Sequence, residues 1–287
     1  MVAKIIDGRW IAKEIRENVA KQVFKLKQEY GFVPNIATVR IGSTPESDIY
    51  LRLRDKACED AGIFSCHVDI PEDASEKEAI TAIKNLNEDD DVHGVLIQLP
   101  LPSHISHDAL ISVLHPKKDV EGLHPINLGR TLMGEEDIIP ITPLSVLTIL
   151  DYEKTKYQGK DVVIVNHSNV VGKPLSALFL NRNCSVSVCH VYTRDLRRYT
   201  KNADILVTAA GVPKLITKNH VKKGAFVLDV GIVKTKTGIC GDVDFDSVKE
   251  TVGKITPVPG GVGPVTVACS LKNMLKTFKS CVEERHR

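Results

Sequence analysis

Short apolar segments alternate with longer segments of helical periodicity along most of the chain. In the first half, helical segments separate the strands predicted at 36–41, 66–70 and 92–99. One of these helices starts with Ser75 and Glu78, which have the spacing of a capping box. Strands that alternate with helices of this length form βαβ units, in which a parallel sheet carries helices on both faces. The pattern therefore predicts an α/β protein.

The second half repeats this alternation and ends each strand in a polar or glycine turn, which is typical of a Rossmann-like domain. The predicted strands are 161–165, 185–189, 205–209 and 225–230. We place a first domain at 1–143, completed by a C-terminal helix within 266–287. A Rossmann-like nucleotide-binding domain follows at 144–265, and the helix starting at Leu144 joins the two.

Composition excludes several classes of protein. Of the 287 residues 43% are apolar and 26% are charged, which is typical of a soluble globular protein. The net charge of +2 gives no reason to expect nucleic acid or an acidic membrane as a partner. The apolar runs are too short to span a membrane, and residues 2–9 are too polar for a secretory signal. Seven cysteines without a C-x-x-C pair indicate reduced thiols and a cytoplasmic protein, and no metal site is expected.

A helix predicted between Ser47 and Gly62 carries the first candidate functional side chains. Tyr50 and Arg54 are four residues apart and lie one above the other on one helix face. Lys56 is two residues further on, roughly 200° around the axis, and should face elsewhere. Taken alone, the helix could simply present a solvated basic face.

Two further places in the first domain carry polar groups. Gln98 ends an apolar strand just before Pro100, and ligands of open parallel sheets bind beyond the carboxyl ends of the strands. An amide that only caps a loop would look the same. The loop at 119–122 adds carboxylates, and by itself it reads as a turn.

The turn at 166–174 follows a buried strand and precedes a helix, which makes a natural seat for a phosphate. Gly172 is the only glycine placed as the dinucleotide-binding fingerprint requires. The strand at 185–189 lacks the terminal acidic residue that commonly holds the ribose of NAD. His167 and Arg194 could instead face a 2′-phosphate, so the sequence favours NADP over NAD.

The segment 256–266, T-P-V-P-G-G-V-G-P-V-T, combines three glycines with three prolines. A core has no need for such a backbone, whereas glycines let main-chain groups approach a flat ligand closely.

Seven segments occur in one order along essentially the whole chain. They are Tyr50…Arg54-x-Lys56, V-H-G-V-L-I-Q-L-P-L-P (92–102), K-D-V-E-G (118–122), P-I-T-P (140–143), V-G-K-P (171–174), G-D-V-D-F (241–245) and the 256–266 segment. Together they closely resemble the methylenetetrahydrofolate dehydrogenase/cyclohydrolase family. The resemblance implies two α/β domains flanking a cleft, the second a Rossmann-like parallel sheet, and a homodimer. It also implies oxidation of 5,10-methylenetetrahydrofolate by NADP, followed by hydrolysis of the methenyl cation to 10-formyltetrahydrofolate.

The same resemblance implies roles for individual residues. The catalytic residues would be Tyr50, Arg54, Gln98 and Glu121. The folate substrate would contact Tyr50, Ile97, Gln98, Leu99, Pro259, Gly260, Gly261 and Gly263. NADP would contact Thr142, Asn166, His167, Ser168, Gly172, Val191, Gly211, Gly231 and Ile232.

The chain departs from the family pattern at residues that matter for the chemistry. Arg54 occupies the position of the family's catalytic lysine, and Glu121 occupies the position of an aspartate. The family's G-R-S motif is N-H-S in this chain, with His167 in place of the arginine. Hydrolysis needs a base with a pKa that can approach neutrality, and an arginine stays protonated. We therefore predict a working dehydrogenase with a cyclohydrolase activity that is weak, absent or run differently, and Arg54 with Glu121 is a candidate replacement for the lysine and aspartate.

Three other functions remain open at this point. The chain could be a dehydrogenase-only member of the family, or a two-domain dehydrogenase of an amino or hydroxy acid in which Arg54 binds the substrate carboxylate. It could also bind folate or a nucleotide without catalysis. Reduction of NADP by methylenetetrahydrofolate would distinguish the last two from the main prediction.

Overall fold

The computed structural model describes residues 2–42, 45–236 and 238–285, with the side chains of 45–47, 49, 50, 284 and 285 left out of the description. The chain divides into two compact units. The six-stranded unit comprises Met1–Ala12, Thr131–Glu135 and Thr142–Thr266, and the three-stranded unit comprises Lys13–Arg130, Glu136–Ile141 and Val267–Arg287. Two long helices, α1 (Gly8–Tyr30) and α10 (Val262–Arg285), contribute residues to both units.

The three-stranded unit is built on a parallel sheet with the order β3-β2-β4. Its elements besides α1 and α10 are β2 (Asn35–Ile41), α2 (Pro45–Ala61), β3 (Phe64–Ile70), α3 (Glu76–Glu88), β4 (Gly94–Ile97), α4 (His107–Val113) and most of α5 (Pro125–Leu132). Every residue of β4 is buried, as expected for a parallel strand covered on both faces. The core packs β2 and β4 against α3 and α4, with Val39, Ile83, Val95 and Leu110 at its centre.

The start of α3 confirms the predicted capping box. The Ser75 hydroxyl accepts a hydrogen bond from the Glu78 backbone N–H at 3.3 Å, and the Glu78 carboxylate accepts one from the Ser75 N–H at 2.8 Å. The helix therefore begins where its sequence signature places it. Ser47, at which the sequence predicted the start of α2, lies within that helix, and its side chain is outside the described residues.

The six-stranded unit has a parallel sheet with the order β1-β11-β8-β7-β5-β6. Its elements are β1 (Lys4–Ile5), α6 (Ile141–Tyr152), β5 (Asp161–Val165), α7 (Gly172–Leu180), β6 (Ser185–Cys189), α8 (Leu196–Thr200), β7 (Ile205–Thr208), β8 (Phe226–Asp229), β9 (Val233–Thr235), β10 (Gly238–Cys240), α9 (Phe245–Val248) and β11 (Lys254–Ile255), with a 3₁₀ turn at Lys218–His220. The antiparallel pair β9–β10 stands apart from the sheet. The predicted α/β class with parallel sheets is thus confirmed.

Residues 2–12 belong to the six-stranded unit, whereas the predicted boundaries placed them in the first domain. Lys4 and Ile5 pair with Lys254 and Ile255, so β1 adds an edge strand to the six-stranded sheet.

In the described part of the chain, no helix has both the length and the apolar character needed to cross a membrane.

Candidate active site

Gln98 follows β4 directly and lies at the carboxyl end of the three-stranded sheet. Its backbone N–H donates to the Val39 carbonyl at 2.9 Å, which continues the strand pairing by one residue. Gln98 is 8% exposed. Its side-chain nitrogen donates to the Leu99 carbonyl at 2.9 Å, and its side-chain oxygen accepts from Nη1 of Arg54 at 3.2 Å. The structure thus brings together Arg54 and Gln98, two residues that lie 44 positions apart in the sequence.

The loop at 118–122 is fixed by its first two residues. The buried ammonium of Lys118 donates to the carbonyls of Leu86, Asn87 and Asp89 at 2.7–2.9 Å and so completes the C-terminal end of α3. The fully buried Asp119 carboxylate accepts hydrogen bonds from the backbone N–H groups of Gly122 and His124 and from the Asn127 amide, all at 2.8–2.9 Å. The side chains of Lys118 and Asp119 therefore hold the loop in place. Because the Asp119 carboxylate is occupied by these hydrogen bonds, Glu121 is the acidic side chain of the loop that is available for chemistry.

The backbone on both sides of Glu121 is also fixed. Asn273 of α10 donates its amide to the carbonyls of Val120 and Ile139 at 2.9 and 2.8 Å. The Glu121 carbonyl accepts from the Ile141 N–H at 3.2 Å. Gly122 has φ +74°, and a Cβ there would lie 2.6 Å from the Ile139 carbonyl carbon, so only glycine fits.

The Glu121 side chain lies in surroundings that favour its neutral form. Burial raises the pKa of Glu121 to about 8, the Arg54 guanidinium opposes this rise, and Asp119 adds to it. Among the described residues, the buried Oε2 atom of Glu121 has no hydrogen-bond partner. Burial also lowers the pKa of Arg54, and Glu121 acts in the opposite direction. Glu121 is therefore a carboxyl group able to exchange a proton near neutral pH.

The other predicted residues of this unit take different positions. Lys56 is exposed and pairs with Glu59 and Asp60 at 3.0 Å, which confirms that it faces away from Arg54. Tyr50 lies within α2, but its side chain is outside the described residues. Ile97 is buried in β4, and Leu99 is 41% exposed beyond the strand.

In the six-stranded unit, Asn166 organises the turn between β5 and α7. Its amide nitrogen donates to the Ala209 carbonyl at 2.7 Å. Its amide oxygen accepts from the Ser168 N–H, the Ser168 hydroxyl and the Gly172 N–H at 2.8–3.0 Å. A Cβ on Gly172 would lie 2.0 Å from the Asn166 carbonyl oxygen, so the close approach predicted for this glycine is present.

This turn borders a pocket of about 750 Å³ at the carboxyl ends of β5, β6 and β7. Four of the predicted cofactor residues line it, namely Asn166, His167, Ser168 and Val191. Five others, Thr142, Gly172, Gly211, Gly231 and Ile232, do not line this pocket, and neither does the exposed Arg194. The lining adds Lys173 and His190, and the rings of His167 and His190 lie 4.7 Å apart between centroids. His190 was not among the residues predicted to contact NADP, because a histidine in a turn is ordinary until a second one is known to lie beside it.

The G-D-V-D-F segment has a structural role next to the pocket. The fully buried carboxylate of Asp242 accepts from the Thr208 hydroxyl and from the N–H groups of Ala210 and Val212 at 2.6–2.9 Å. Asp229 accepts from three further backbone N–H groups in the same region, and burial raises its pKa to about 6. These carboxylates fix the loops that follow β7 and β8, and Ala210 and Val212 also line the pocket.

The glycine-rich segment contacts the start of α1 within the six-stranded unit. The Gly8 N–H donates to the Gly260 carbonyl at 3.0 Å, and a Cβ on Gly8 would clash with the Gly261 carbonyl oxygen at 1.7 Å. Pro259 follows a cis peptide bond, and Gly263 lies in the first turn of α10. Gly260 and Gly261 therefore take part in close packing of the backbone against Gly8, in addition to any contact with a ligand.

Comparisons with known proteins agree with this arrangement. Residues 6–121 match the catalytic domain of the tetrahydrofolate dehydrogenase/cyclohydrolase family, and residues 140–282 match its NAD(P)-binding domain. The chain is 49% identical over 273 residues to the bifunctional protein FolD of Methanosarcina barkeri, with 95% of each chain covered.

Solved structures give the same result. The bifunctional FolD enzyme of Campylobacter jejuni superposes with a TM-score of 0.95 at 41% identity and covers 97% of this chain and 99% of its own. The Trypanosoma brucei methylenetetrahydrofolate dehydrogenase-cyclohydrolase, solved with NADP and an inhibitor, gives 0.93 at 35% identity, with 98% and 99% covered. Because both halves and the whole length match, this chain belongs to the tetrahydrofolate dehydrogenase/cyclohydrolase family.

Proposed function

We propose that this protein oxidises 5,10-methylenetetrahydrofolate to 5,10-methenyltetrahydrofolate with NADP and then hydrolyses the methenyl cation to 10-formyltetrahydrofolate by a route that does not use a lysine. The observation that carries the proposal is the Arg54–Gln98 hydrogen bond at the end of β4. It places the arginine that replaces the family lysine against the amide that the family pattern also provides. The lysine position of the family is therefore changed to arginine, but the side chains of Arg54 and Gln98 still meet at the end of β4.

The two steps make different demands on these residues. Hydride loss leaves a cation on the one-carbon bridge of the folate, and it requires alignment more than it requires a base. The amide of Gln98 can orient a pterin by hydrogen bonds, and the arginine does not disable it. Hydrolysis requires a proton acceptor in addition, which Arg54 does not supply.

The residues of the pocket in the six-stranded unit fit NADP, which supplies the hydride acceptor when it is bound. The side chains of Lys173, His167 and His190 offer donors to phosphates, and Lys173 adds a positive charge. Asn166 holds the turn that presents them. The lining now favours His190 over Arg194 as the neighbour of His167 at a 2′-phosphate.

Replacing His167 with alanine should raise KM for NADP by about tenfold and change KM for NAD much less, since a charge-assisted hydrogen bond contributes about 1.5–3 kcal/mol. Steady-state rates with each nicotinamide measure this selectivity. Arg194→Ala is the matched control, because Arg194 is exposed outside the lining. Comparable rates of the unaltered protein with NAD and NADP would show that no group here reads the 2′-phosphate.

We also propose that the protein is a cytoplasmic homodimer. Five cysteines are free thiols, which suits a reducing compartment, namely Cys58, Cys66, Cys184, Cys189 and Cys240. The edge strand β6 leaves Val188 39% exposed, and the turn after it leaves Tyr192 82% exposed. Both features support a second copy as partner, and light scattering on the purified protein measures the mass in solution.

Titration of the purified protein with methylenetetrahydrofolate and each nicotinamide tests the main proposal. Reduced nicotinamide should form, and the rate should saturate in both compounds. A failure to reduce either nicotinamide would contradict the proposal and would leave a folate-binding protein without redox activity. The amino- or hydroxy-acid dehydrogenase considered above is not favoured, because the family match extends over both units.

A further inference from the structure

We propose that the Glu121 carboxylate accepts the proton from the water molecule that hydrolyses the methenyl cation, while Arg54 and Gln98 form a fixed polar pair beside it. This inference rests on the proposed function, because it concerns the second of the two reactions. In this proposal, the carboxylate of a loop residue accepts the proton, a task for which the family pattern has a lysine on a helix.

Glu121 is held by its backbone while its side chain keeps an open acceptor. Contacts from three sides fix the main chain: Asn273 binds the Val120 carbonyl, Ile141 binds the Glu121 carbonyl and Asp119 binds the Gly122 N–H. The Oε2 atom is buried and has no hydrogen-bond partner among the described residues. A buried carboxyl oxygen without a partner is costly unless something binds it during function. A water or a polar group of the substrate is the simplest occupant.

The neighbouring groups are poor candidates for the base. Arg54 remains protonated and already donates to Gln98. Both carboxylate oxygens of Asp119 accept hydrogen bonds within the loop. Burial raises the pKa of the Cys58 thiol to about 12, so it is not a thiolate at neutral pH. Lys56 is in solvent with its own ion pairs.

The proposed step balances in atoms and charge. The water oxygen forms a bond to the methenyl carbon as one O–H bond breaks, and that proton moves to Glu121, which gives a neutral carbinolamine. The bond from the carbon to N5 then breaks, and N5 keeps the electron pair and takes the hydroxyl proton as the formyl C=O forms. Glu121 releases its proton to solvent, so one proton leaves for each cation hydrolysed.

The charges around Glu121 suit this role. Arg54 from α2 and Asp119 from its own loop are the charged groups that act on its carboxyl, and Asn273, which reaches the loop from α10, is neutral. Burial raises the pKa of Glu121 to about 8, whereas an ordinary carboxyl would be too weak a base. Because the reactive form is the carboxylate, hydrolysis should become faster as the pH rises through this value.

The test supplies methenyltetrahydrofolate directly and follows loss of its absorbance at several pH values, with the uncatalysed rate subtracted. The unaltered protein should show kcat/KM rising with pH and a midpoint near 8. Glu121→Gln should lower the ratio of hydrolysis to NADP reduction at least about tenfold and should abolish the pH-dependent rise. Glu121→Asp keeps a carboxylate and should retain the rise with a displaced midpoint, which keeps the test valid if the glutamine variant fails to fold. Lys56→Ala is the control and should leave the ratio unchanged.

Three results would overturn the inference: a glutamine variant with the ratio and pH dependence of the unaltered protein, an aspartate variant with an unmoved midpoint, or an unaltered protein that reduces NADP without hydrolysing the methenyl compound. Failure of the proposed function looks different, because NADP reduction is then absent whatever the hydrolysis assay shows. The two assays use different starting compounds and so separate the two failures.

Discussion

Replacing Arg54 with lysine should raise the rate of methenyltetrahydrofolate hydrolysis by about 100-fold, the lower range of what a well-placed general base contributes. The position is half-buried beside Gln98, and burial already lowers the pKa of the arginine there. The same burial lowers the pKa of a lysine towards neutrality, where the lysine can give up its proton, whereas the arginine stays charged. Loss of methenyl absorbance measures the change.

Arg52→Lys is the matched control, because Arg52 is exposed two residues earlier on the same helix. It should leave hydrolysis unchanged. In the Arg54→Lys protein, the further change Glu121→Gln should reduce hydrolysis less than it does in the unaltered protein, because a second base is then present. Hydrolysis that stays the same or falls in Arg54→Lys would show that the arginine is not what limits this step.

Replacing Gly172 with alanine should raise KM for NADP more than about tenfold and destabilise the protein by about 1–3 kcal/mol, the usual cost of overpacking. The added Cβ would lie 2.0 Å from the Asn166 carbonyl oxygen and 2.8 Å from the His167 Cα. Both atoms are backbone, so the turn itself must move. Because Asn166 and His167 line the pocket, this movement should displace the groups that face the cofactor. Steady-state kinetics and thermal unfolding measure the two effects.

Gly129→Ala provides the comparison for that variant. Gly129 lies within α5, and a Cβ there meets nothing within 4 Å. Alanine also has the higher helix propensity, so this change should be neutral or slightly stabilising. A Gly172→Ala protein with unaltered NADP kinetics would contradict the role assigned to the turn.

Strands and long helices were predictable because each carries its own periodic signal. The strands Asp161–Val165 and Ser185–Cys189 have the predicted bounds, and the Ser75 capping box marks the start of α3. Short elements have no such signal. The two-residue strand Lys4–Ile5 and the seven-residue helix His107–Val113 contain too few residues to show a period, and tertiary contacts define them instead.

The sequence pointed to the polar side chains near the end of β4 but not to their electrostatics. The order of the motifs pointed to Arg54, Gln98 and Glu121. Lys56 was excluded as a substitute base because it lies roughly 200° around the axis of α2 from Arg54. The raised pKa of Glu121 was not predictable, because it depends on burial of a loop clamped by Asn273, about 150 positions later in the chain. Similarly, His190 joins His167 only because β5 and β6 are neighbours in the sheet.

The most direct test of the account mixes the purified protein with methylenetetrahydrofolate and NADP and follows the reduced nicotinamide and the methenyl compound together. We expect NADPH to form and the methenyl compound to accumulate before it declines, because a protein with arginine in place of lysine should hydrolyse it more slowly than it produces it. Formation of no NADPH, or formation of NADPH with no methenyl intermediate at any time, would contradict it.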